Sequence, residues 1–325
     1  MTKSGEGRKR RWPRIVLGVI VVAGVAVALV LRSPSPVGHW NSAEGYQDYL
    51  DKYDRAMKDV PAPTLVRDIR TEYGVVRVYR FNGTGSRKAE PLVLLPGTSS
   101  GTPVWADNMP SLLRIGDVYT FDLLGEPGLS IQSRPIKTSD DKAAWLDQTL
   151  AALPEKKFHL VGLSIGGWTA TNFTLRHPDR VATLTLLDPI NVFDGMPLET
   201  VVRSIPAAIK WLPRSWRDSF NSYTAGGAPV EDVPVADMIE AGMKNYTMRQ
   251  PQPERITEEQ LATLKLPVLA ILAGKSVMHD PPKARSTAEN ALKNKTVKLY
   301  PEASHALNGE YPDQIAADLQ AFLAQ

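Results

Sequence analysis

The residue best placed to take part in a reaction is Ser164, in the segment 162–166, which reads Gly-Leu-Ser-Ile-Gly. The apolar run 158–163 leads into this segment, and a helical stretch, 167–176, follows it. A serine on a sharp turn between a strand and a helix is exposed at the sheet edge in a strained backbone, and the flanking glycines leave room for that turn. The following helix N-terminus also favours negative charge that develops nearby. The segment therefore predicts a serine nucleophile.

A serine hydroxyl needs a base to become a good nucleophile, and His305 is the best placed of the five histidines. It follows the last predicted strand and precedes the last helix, which puts it on a loop at the carboxyl edge of the sheet, in the chain order Ser…His. His279, in a loop beside Asp280, stays open as an alternative. The positions of the other three indicate other uses: His39 near a linker, His159 at the start of a strand and His177 before Pro178 at the end of a helix.

Apolar runs alternate with helical stretches along the body of the chain, and they predict the elements that position these residues. The expected strands are 75–81, 91–95, 118–123, 158–163, 181–187, 266–272 and 296–300. The expected helices are 41–59, 105–114, 140–153, 167–176, 282–292 and 312–323. Most of these strands are continuous apolar runs, which are typical of parallel strands buried on both faces. The sequence predicts an α/β fold with a mostly parallel sheet and helices on both faces.

One interval interrupts this alternation, because residues 190–263 separate two consecutive strands. A short connection needs only a few residues, so the surplus predicts a helical insertion over the carboxyl ends of the strands, where ligands bind in open α/β sheets. Its large side chains are expected mostly to form the core of the insertion itself. They are Trp211, Trp216, Tyr223, Met238, Met243, Tyr246 and Met248.

From about Arg77 to the C-terminus, the chain resembles the α/β-hydrolase superfamily, in its capped, carboxylesterase-like branch. The segments that carry the resemblance are 94–98 (Leu-Leu-Pro-Gly-Thr), 122–130 (Asp-Leu-Leu-Gly-Glu-Pro-Gly-Leu-Ser), 162–166, 187–189 (Leu-Asp-Pro) and 303–307 (Ala-Ser-His-Ala-Leu). The resemblance implies a sheet of the eight-stranded type with a helical cap. It also implies an oxyanion hole formed by the backbone N–H groups of Ile165 and of Thr98 or a near neighbour. Relatives usually have His-Gly where this chain has Pro96-Gly97, and a main-chain donor tolerates that departure.

The acid that would orient the imidazole is absent from its usual position. In this superfamily it usually lies three residues after the glycine that ends the seventh strand, but here that residue is Val277, and the segment 274–277 has no acid. Two replacements are available. Asp188, at the end of a strand and before Pro189, is preferred because a strand end is a rigid support. Asp280 is the alternative, although it could equally cap the helix that begins at the prolines after it.

Composition excludes several classes of protein. The chain has 325 residues, 43% of them hydrophobic and 22% charged, with no cysteine, which excludes a disulfide framework and thiolate chemistry. The net charge is +3, but seven Lys and Arg residues and one acid lie in the first 32 residues, which leaves 31 basic against 34 acidic residues in the rest. The body therefore has no basic surplus of the kind that binds nucleic acid.

The basic N-terminus precedes an apolar run, 15–31, that would span about 25 Å as a helix. These features predict a basic cytoplasmic segment (1–14), a transmembrane helix (15–31), a linker (32–40) and an extracytoplasmic hydrolase domain (41–325) with a cap at about 190–263. A cleaved signal peptide is the competing interpretation, although no small-residue cleavage site follows the run.

The sequence predicts a serine hydrolase of ester-like small molecules that forms an acyl-enzyme and needs no metal or organic cofactor. Ser164 would be the nucleophile, His305 the base, and Asp188 or Asp280 the acid. The same residues could also support cofactor-independent perhydrolysis, as in haloperoxidases, or C–C bond hydrolysis. A non-catalytic binding or signalling protein with this fold is a further alternative, because the acid is displaced. The substrate and the oligomeric state do not follow from the sequence.

Overall fold

The computed structural model describes residues 35–85, 90–230 and 233–325. The predicted basic segment, the apolar run 15–31 and the start of the linker lie outside the described residues. Within the part that is described, no helix combines the length and the hydropathy that a membrane span requires. The body forms a compact unit from Val37 to Gln325.

The described residues of the body contain eleven strands. They are β1 (His39–Trp40), β2 (Leu65–Thr71), β3 (Gly74–Phe81), β4 (Leu92–Leu95), β5 (Val118–Phe121), β6 (Ile131–Gln132), β7 (Phe158–Leu163), β8 (Val181–Leu187), β9 (Tyr246–Thr247), β10 (Val268–Ala273) and β11 (Lys295–Tyr300). Nine form one sheet in the order β2-β3-β5-β4-β7-β8-β10-β11, with β6 paired to β3. The six strands from β5 to β11 in that order run parallel to one another, whereas β2, β3 and β6 form antiparallel pairs. The predicted mostly parallel sheet is confirmed.

Eleven α-helices accompany these strands in the described residues. Those of the main body are α1 (Ala43–Ala56), α2 (Met109–Ile115), α3 (Ser139–Ala151), α4 (Ile165–Arg176), α9 (Pro281–Ala291), α10 (Leu307–Glu310) and α11 (Pro312–Leu323). Those of the insertion are α5 (Leu198–Ala208), α6 (Arg214–Thr224), α7 (Pro234–Asn245) and α8 (Glu258–Leu261).

Alternate side chains of the central strands enter two separate cores, because neighbouring residues of a strand point to opposite faces. In β4, Val93 and Leu95 join a core with residues of α3, α4 and α9. Leu92 and Leu94 join a second core with residues of α2 and α11. The sheet is therefore covered by helices on both faces, and this is why its strands are apolar throughout.

The first strand of the sheet, β2, was not among the predicted elements. Its sequence, Leu-Val-Arg-Asp-Ile-Arg-Thr, places charged residues among apolar ones, and its residues up to Asp68 are exposed at the sheet edge. A largely exposed edge strand has neither the continuous apolar run nor the regular alternation of apolar and polar residues by which strands are predicted from sequence.

The insertion between β8 and β10 is helical, as predicted, and a short antiparallel pair ties it to the start of the body. In that pair Trp40 of β1 lies opposite Tyr246 of β9, so residues 39–40, expected in the linker, belong to the body. Met238 packs with Tyr49 and Tyr53 of α1 in a small core of its own. The expectation that most large side chains of the insertion form its core fails for three of the seven, Trp211, Trp216 and Met248, which are exposed.

A buried ion pair joins two helices of the insertion. Arg217 of α6 donates from Nε and Nη2 to Oε1 of Glu240 in α7, at 3.0 and 2.7 Å, and from Nη1 to the carbonyl of Leu212 at 3.1 Å. Both side chains are almost completely buried. Removing one partner of such a pair leaves the other charge without compensation.

We expect Arg217→Ala to lower the free energy of unfolding by about 3 kcal/mol, because Glu240 would remain buried and unpaired. Chemical denaturation at neutral pH measures this loss. Arg214→Ala is the matched control, since Arg214 pairs with Asp218 and Asp237 at the surface, and its cost should stay below about 1 kcal/mol. Equal losses in the two variants would contradict this interpretation.

Candidate active site

Ser164 lies on the turn between β7 and α4 in a left-handed backbone conformation, with φ of 54°. A Cβ on Gly162 would lie 2.4 Å from the carbonyl oxygen of Gly166, and a Cβ on Gly166 would lie 2.1 Å from that of Leu95. Only glycine fits at these two positions, so the spacing of the glycines is what permits the turn. The N–H of Ser164 donates to the carbonyl of Leu187 in the neighbouring strand at 3.0 Å.

His305 lies on the loop between β11 and α10, as predicted. Its Nε2 is 2.9 Å from Oγ of Ser164. Its backbone N–H donates to the carbonyl of Thr224 at the end of α6, at 3.2 Å. The preceding Ser304 donates its N–H to Glu310 at 2.9 Å. The histidine is therefore fixed from its own loop and from the cap.

Asp188 is completely buried at the end of β8, and its Oδ2 is 2.6 Å from Nδ1 of His305. Asp280 is the N-cap of α9, where its Oδ1 accepts the N–H of Lys283 at 2.9 Å. Of the two candidate acids, the structure brings Asp188 to His305 and leaves Asp280 at the start of a helix.

Asp188 accepts three further hydrogen bonds. Its Oδ1 accepts the N–H of Ala273 at 2.9 Å and lies 2.7 Å from Nε2 of His279, and its Oδ2 accepts the hydroxyl of Ser276 at 2.6 Å. Burial raises the pKa of Asp188, but the hydrogen bonds from His279 and His305 outweigh burial and bring the pKa well below its usual range. The carboxylate is therefore held ionised without exposure to water.

Sequence reasoning did not identify Ser276 and left His279 only as an alternative base. Both lie on the loop after β10, where the superfamily usually has its acid. The available signal was the chemistry of that loop, because it offers a hydroxyl and an imidazole where a carboxylate is missing. Donors at that position indicate that the carboxylate they serve comes from another strand.

The two predicted oxyanion donors lie beside one small cavity of about 120 Å³. Thr98 and Ile165 both line it, together with apolar residues from the end of β5, from α3 and from the insertion. Among the described residues, no carbonyl or side chain accepts a hydrogen bond from the backbone N–H of Thr98 or of Ile165. These N–H groups are therefore available to a negatively charged oxygen, which is what an oxyanion hole requires.

Two charged side chains that sequence reasoning did not single out line the same cavity. Glu126 is buried and accepts the N–H of Ser99, next to Thr98, at 3.2 Å. Lys142 donates to the carbonyl of Pro251 at 2.9 Å and lies over the ring of Trp168. Burial raises the pKa of Glu126 to about 7, although the N–H of Ser99 and the charge of Lys142 oppose this.

Within residues 35–85, 90–230 and 233–325, no group of three or more His, Asp or Glu side chains could hold a metal ion. The expectation that the chain needs no metal and no organic cofactor remains a prediction.

Comparison with known proteins agrees with this architecture. A family profile described as the alpha/beta hydrolase fold matches residues 90–226. The uncharacterized carboxylesterase nap of Bacillus subtilis is 26% identical over 281 residues, which are 84% of this chain and 91% of that protein. The crystal structure of naproxen esterase from Bacillus subtilis superposes with a TM-score of 0.79 at 23% identity, over 87% of this chain and 99% of that one. The crystal structure of a bacterial membrane phospholipase A superposes with a TM-score of 0.68 at 19% identity, over 96% of this chain and 98% of that one.

The chain therefore has the α/β-hydrolase fold, and its similarity to carboxylesterases extends over most of its length. The predicted enzyme class, an esterase-like hydrolase with this fold, is confirmed at that level. The roles of individual residues are taken up below.

We expect His279→Gln to lower turnover and to reduce the pH dependence of stability. Burial lowers the pKa of His279, but the hydrogen bond and the charge of Asp188 outweigh it and raise the pKa. The stabilisation from the charged imidazole is thus complete below about pH 6.5 and is lost as pH rises through the raised pKa. The glutamine variant should lack this loss in denaturation curves above neutral pH, and its turnover should fall by roughly 10-fold or more because Asp188 is less firmly held.

His177→Gln is the matched control, because His177 also faces an aspartate, Asp147 at 3.5 Å, but on the surface. It should leave turnover unchanged. If His279→Gln behaves like this control, His279 has no part in positioning Asp188.

We expect Glu126→Gln to remove a second pH dependence. Since the pKa of Glu126 is raised to about 7, the folded state holds a proton that the unfolded state releases near pH 4.5. The wild type should therefore lose stability between about pH 4.5 and pH 7, by an amount on the order of 3 kcal/mol, and the variant should not. Urea denaturation across this range, with the exposed Glu302→Gln as control, measures the difference. Parallel curves for wild type and Glu126→Gln would show that this carboxyl does not titrate with a raised pKa.

Proposed function

We propose that this protein is a serine hydrolase that cleaves carboxylic-ester-like substrates through an acyl-enzyme. One observation carries the proposal: a single imidazole lies 2.9 Å from Oγ of Ser164 and 2.6 Å from a buried, ionised carboxylate of Asp188. This is the arrangement in which a base removes the proton of a serine as the serine attacks a carbonyl.

In the proposed reaction, Oγ of Ser164 attacks the ester carbonyl while Nε2 of His305 takes the hydroxyl proton. His305 then returns this proton to the departing alcohol, and the acyl group stays on Ser164. A water molecule, deprotonated by the same Nε2, attacks the acyl-enzyme and releases the acid. Asp188 holds Nδ1–H of His305 and stabilises the imidazolium that forms in each half-reaction.

The N–H groups of Thr98 and Ile165 stabilise the negative charge of each tetrahedral intermediate. Both residues line the cavity and are held by the turn after β4 and by the start of α4, so the proposal is that they require little reorganisation during the reaction. The mostly apolar lining of the cavity supports a substrate with a partly apolar group. The carboxylesterase name of the relative with 26% identity supports an ester as the reacting bond.

We also propose that the N-terminal segment anchors the enzyme in a membrane, with the hydrolase domain outside the cytoplasm. The support is the sequence itself: an uncharged apolar run, 15–31, preceded by a cluster of basic residues. Basic residues next to a membrane span remain preferentially on the cytoplasmic side.

A fluorophosphonate probe tests the nucleophile. The wild-type chain should form one covalent adduct, located on Ser164 by mass spectrometry, and Ser164→Ala should form none. An absence of adduct on the wild type would favour a non-catalytic protein with this fold. An adduct without ester turnover would favour perhydrolysis or C–C bond hydrolysis, which peroxide-dependent halogenation and diketone cleavage assays distinguish.

Two isosteric variants test the acid. Asp188→Asn should lower kcat/KM for an activated ester by roughly 10²–10⁴-fold, because the amide cannot stabilise the imidazolium. Asp280→Asn should retain most activity, since asparagine caps a helix about as well as aspartate. The reverse ranking of the two losses would exclude Asp188 as the acid.

A further inference from the structure

The insertion carries a cluster of large apolar side chains exposed to solvent. They are Leu198, Val201, Val202, Ile205, Trp211 and Trp216, with exposed fractions between 40% for Val201 and 83% for Trp211. All six lie on α5, on the turn after it or in the first turn of α6, and we call this surface the cap face. Single exposed apolar residues are common, but a contiguous cluster of this size marks an interaction surface.

Three of these residues share one side of α5. Leu198, Val202 and Ile205 recur at intervals of four and three residues, which places them on the same side of α5. The opposite side of α5 faces the loop after β10, which also carries Ser276 and His279, because the hydroxyl of the buried Thr200 donates to the carbonyl of Val277. The apolar side of this helix is thus directed outwards, the reverse of the usual orientation in a soluble domain.

The basic side chains of the cap face already have partners. Arg203 pairs with Glu199, and Arg214 pairs with Asp218 and Asp237. The charges of this surface therefore largely compensate one another, and its distinguishing feature is the set of exposed aliphatic and Trp side chains. Such side chains partition into the headgroup region of a bilayer.

The chain enters the body beside the cap face. Lys210, which precedes Trp211, donates from Nζ to Oδ1 of Asn41 at 3.2 Å and to the hydroxyl of Thr247. Asn41 directly follows β1. If residues 15–31 cross a membrane, the six residues from there to Val37 extend at most about 20 Å. The start of the body, and the cap face beside it, would then remain within reach of the lipid headgroups.

We propose that the cap face docks on a lipid bilayer and that the enzyme takes acyl esters of membrane lipids as substrates. This inference rests on the proposed esterase function and on the proposed membrane anchor. Leu198, Val202 and Ile205 enter the headgroup region, and Trp211 and Trp216 lie at its boundary with water. Because the end of α6 holds the backbone of His305, docking places the active site directly behind the lipid-facing helix.

The first test measures contact with lipid independently of catalysis. The chain has no cysteine, so Val202→Cys can carry a single nitroxide label. Val66→Cys is the matched control, since Val66 is a valine of similar exposure on the edge strand β2. Both would be made in the full-length chain with Ser164→Ala, reconstituted in vesicles of phosphatidylcholine and phosphatidylglycerol.

The label at position 202 should be more accessible to oxygen than to a water-soluble nickel chelate, and the label at position 66 should show the opposite. A water-like label at position 202 would overturn the proposal. So would dipolar broadening between labels at position 202, because it would show that a second copy of the chain covers the cap face.

The second test measures the substrate class. Val202→Glu combined with Ile205→Glu should lower hydrolysis of a phospholipid ester in these vesicles by about 10-fold or more, because charged side chains oppose insertion. Hydrolysis of a water-soluble short-chain ester should stay within about twofold of the wild type, since exposed substitutions rarely disturb the fold. The matched control is Val66→Glu.

An equal loss on both esters would show that the cap face supports the active site instead of docking, and would overturn the proposal. Failure of the esterase function itself would appear differently. In that case neither ester is hydrolysed by the wild type, while the label at position 202 still reports whether the surface contacts lipid.

Discussion

The site depends on one buried negative charge. A carboxylate as deeply buried as Asp188 would ordinarily take up a proton, because burial penalises its charged form. Here the backbone of Ala273, a hydroxyl and two imidazoles donate to its two oxygens. These donors come from the ends of β10 and β11 and the loops that follow them, so the ionised state exists only when β8, β10 and β11 end side by side. The parallel order of the sheet is what makes this carboxylate usable.

Strain at the same edge of the sheet has a related cause. Ser99, Ser164, Asp188 and Asn191 all have positive φ without being glycine, and each such residue costs roughly 1 kcal/mol or more. Buried apolar strands on both sides hold these turns in place. The close approach of the backbone at Gly162 and Gly166 leaves no space in which the turn at Ser164 could relax. The rigidity of the strands thus keeps the hydroxyl directed at His305.

Features that depend on a short stretch of sequence could be predicted, whereas features that depend on contacts between distant residues could not. Ser164 and most strands follow from short patterns, glycines at fixed spacing and continuous apolar runs, so both were predictable. The preference for Asp188 over Asp280 rested only on the rigidity of a strand end, because the contact that separates the two is with an imidazole more than a hundred residues further along the chain. Glu126 and β2 were not predicted for the same reason. Glu126 acts through a contact with the backbone of a distant loop, and β2 is defined by its pairing with β3. The exposure of Trp211 and Trp216 was not predicted, because apolar residues in an insertion are usually buried.

Two buried carboxyl groups belong to the site, Asp188 beside His305 and Glu126 beside the loop of Thr98, and their different ionisation suits the proposed chemistry. Asp188 has four donors, two of them imidazoles, and remains charged. Glu126 has the N–H of Ser99 and a lysine whose ammonium is already bonded to a carbonyl, and its pKa is raised to about 7. A full negative charge beside Thr98 and Ile165 would oppose the oxyanion that these N–H groups are placed to receive. A carboxyl that is about half protonated near pH 7 can hold the loop of Thr98 with less of that penalty, whereas the proposed chemistry requires Asp188 to be ionised so that it stabilises the imidazolium of His305.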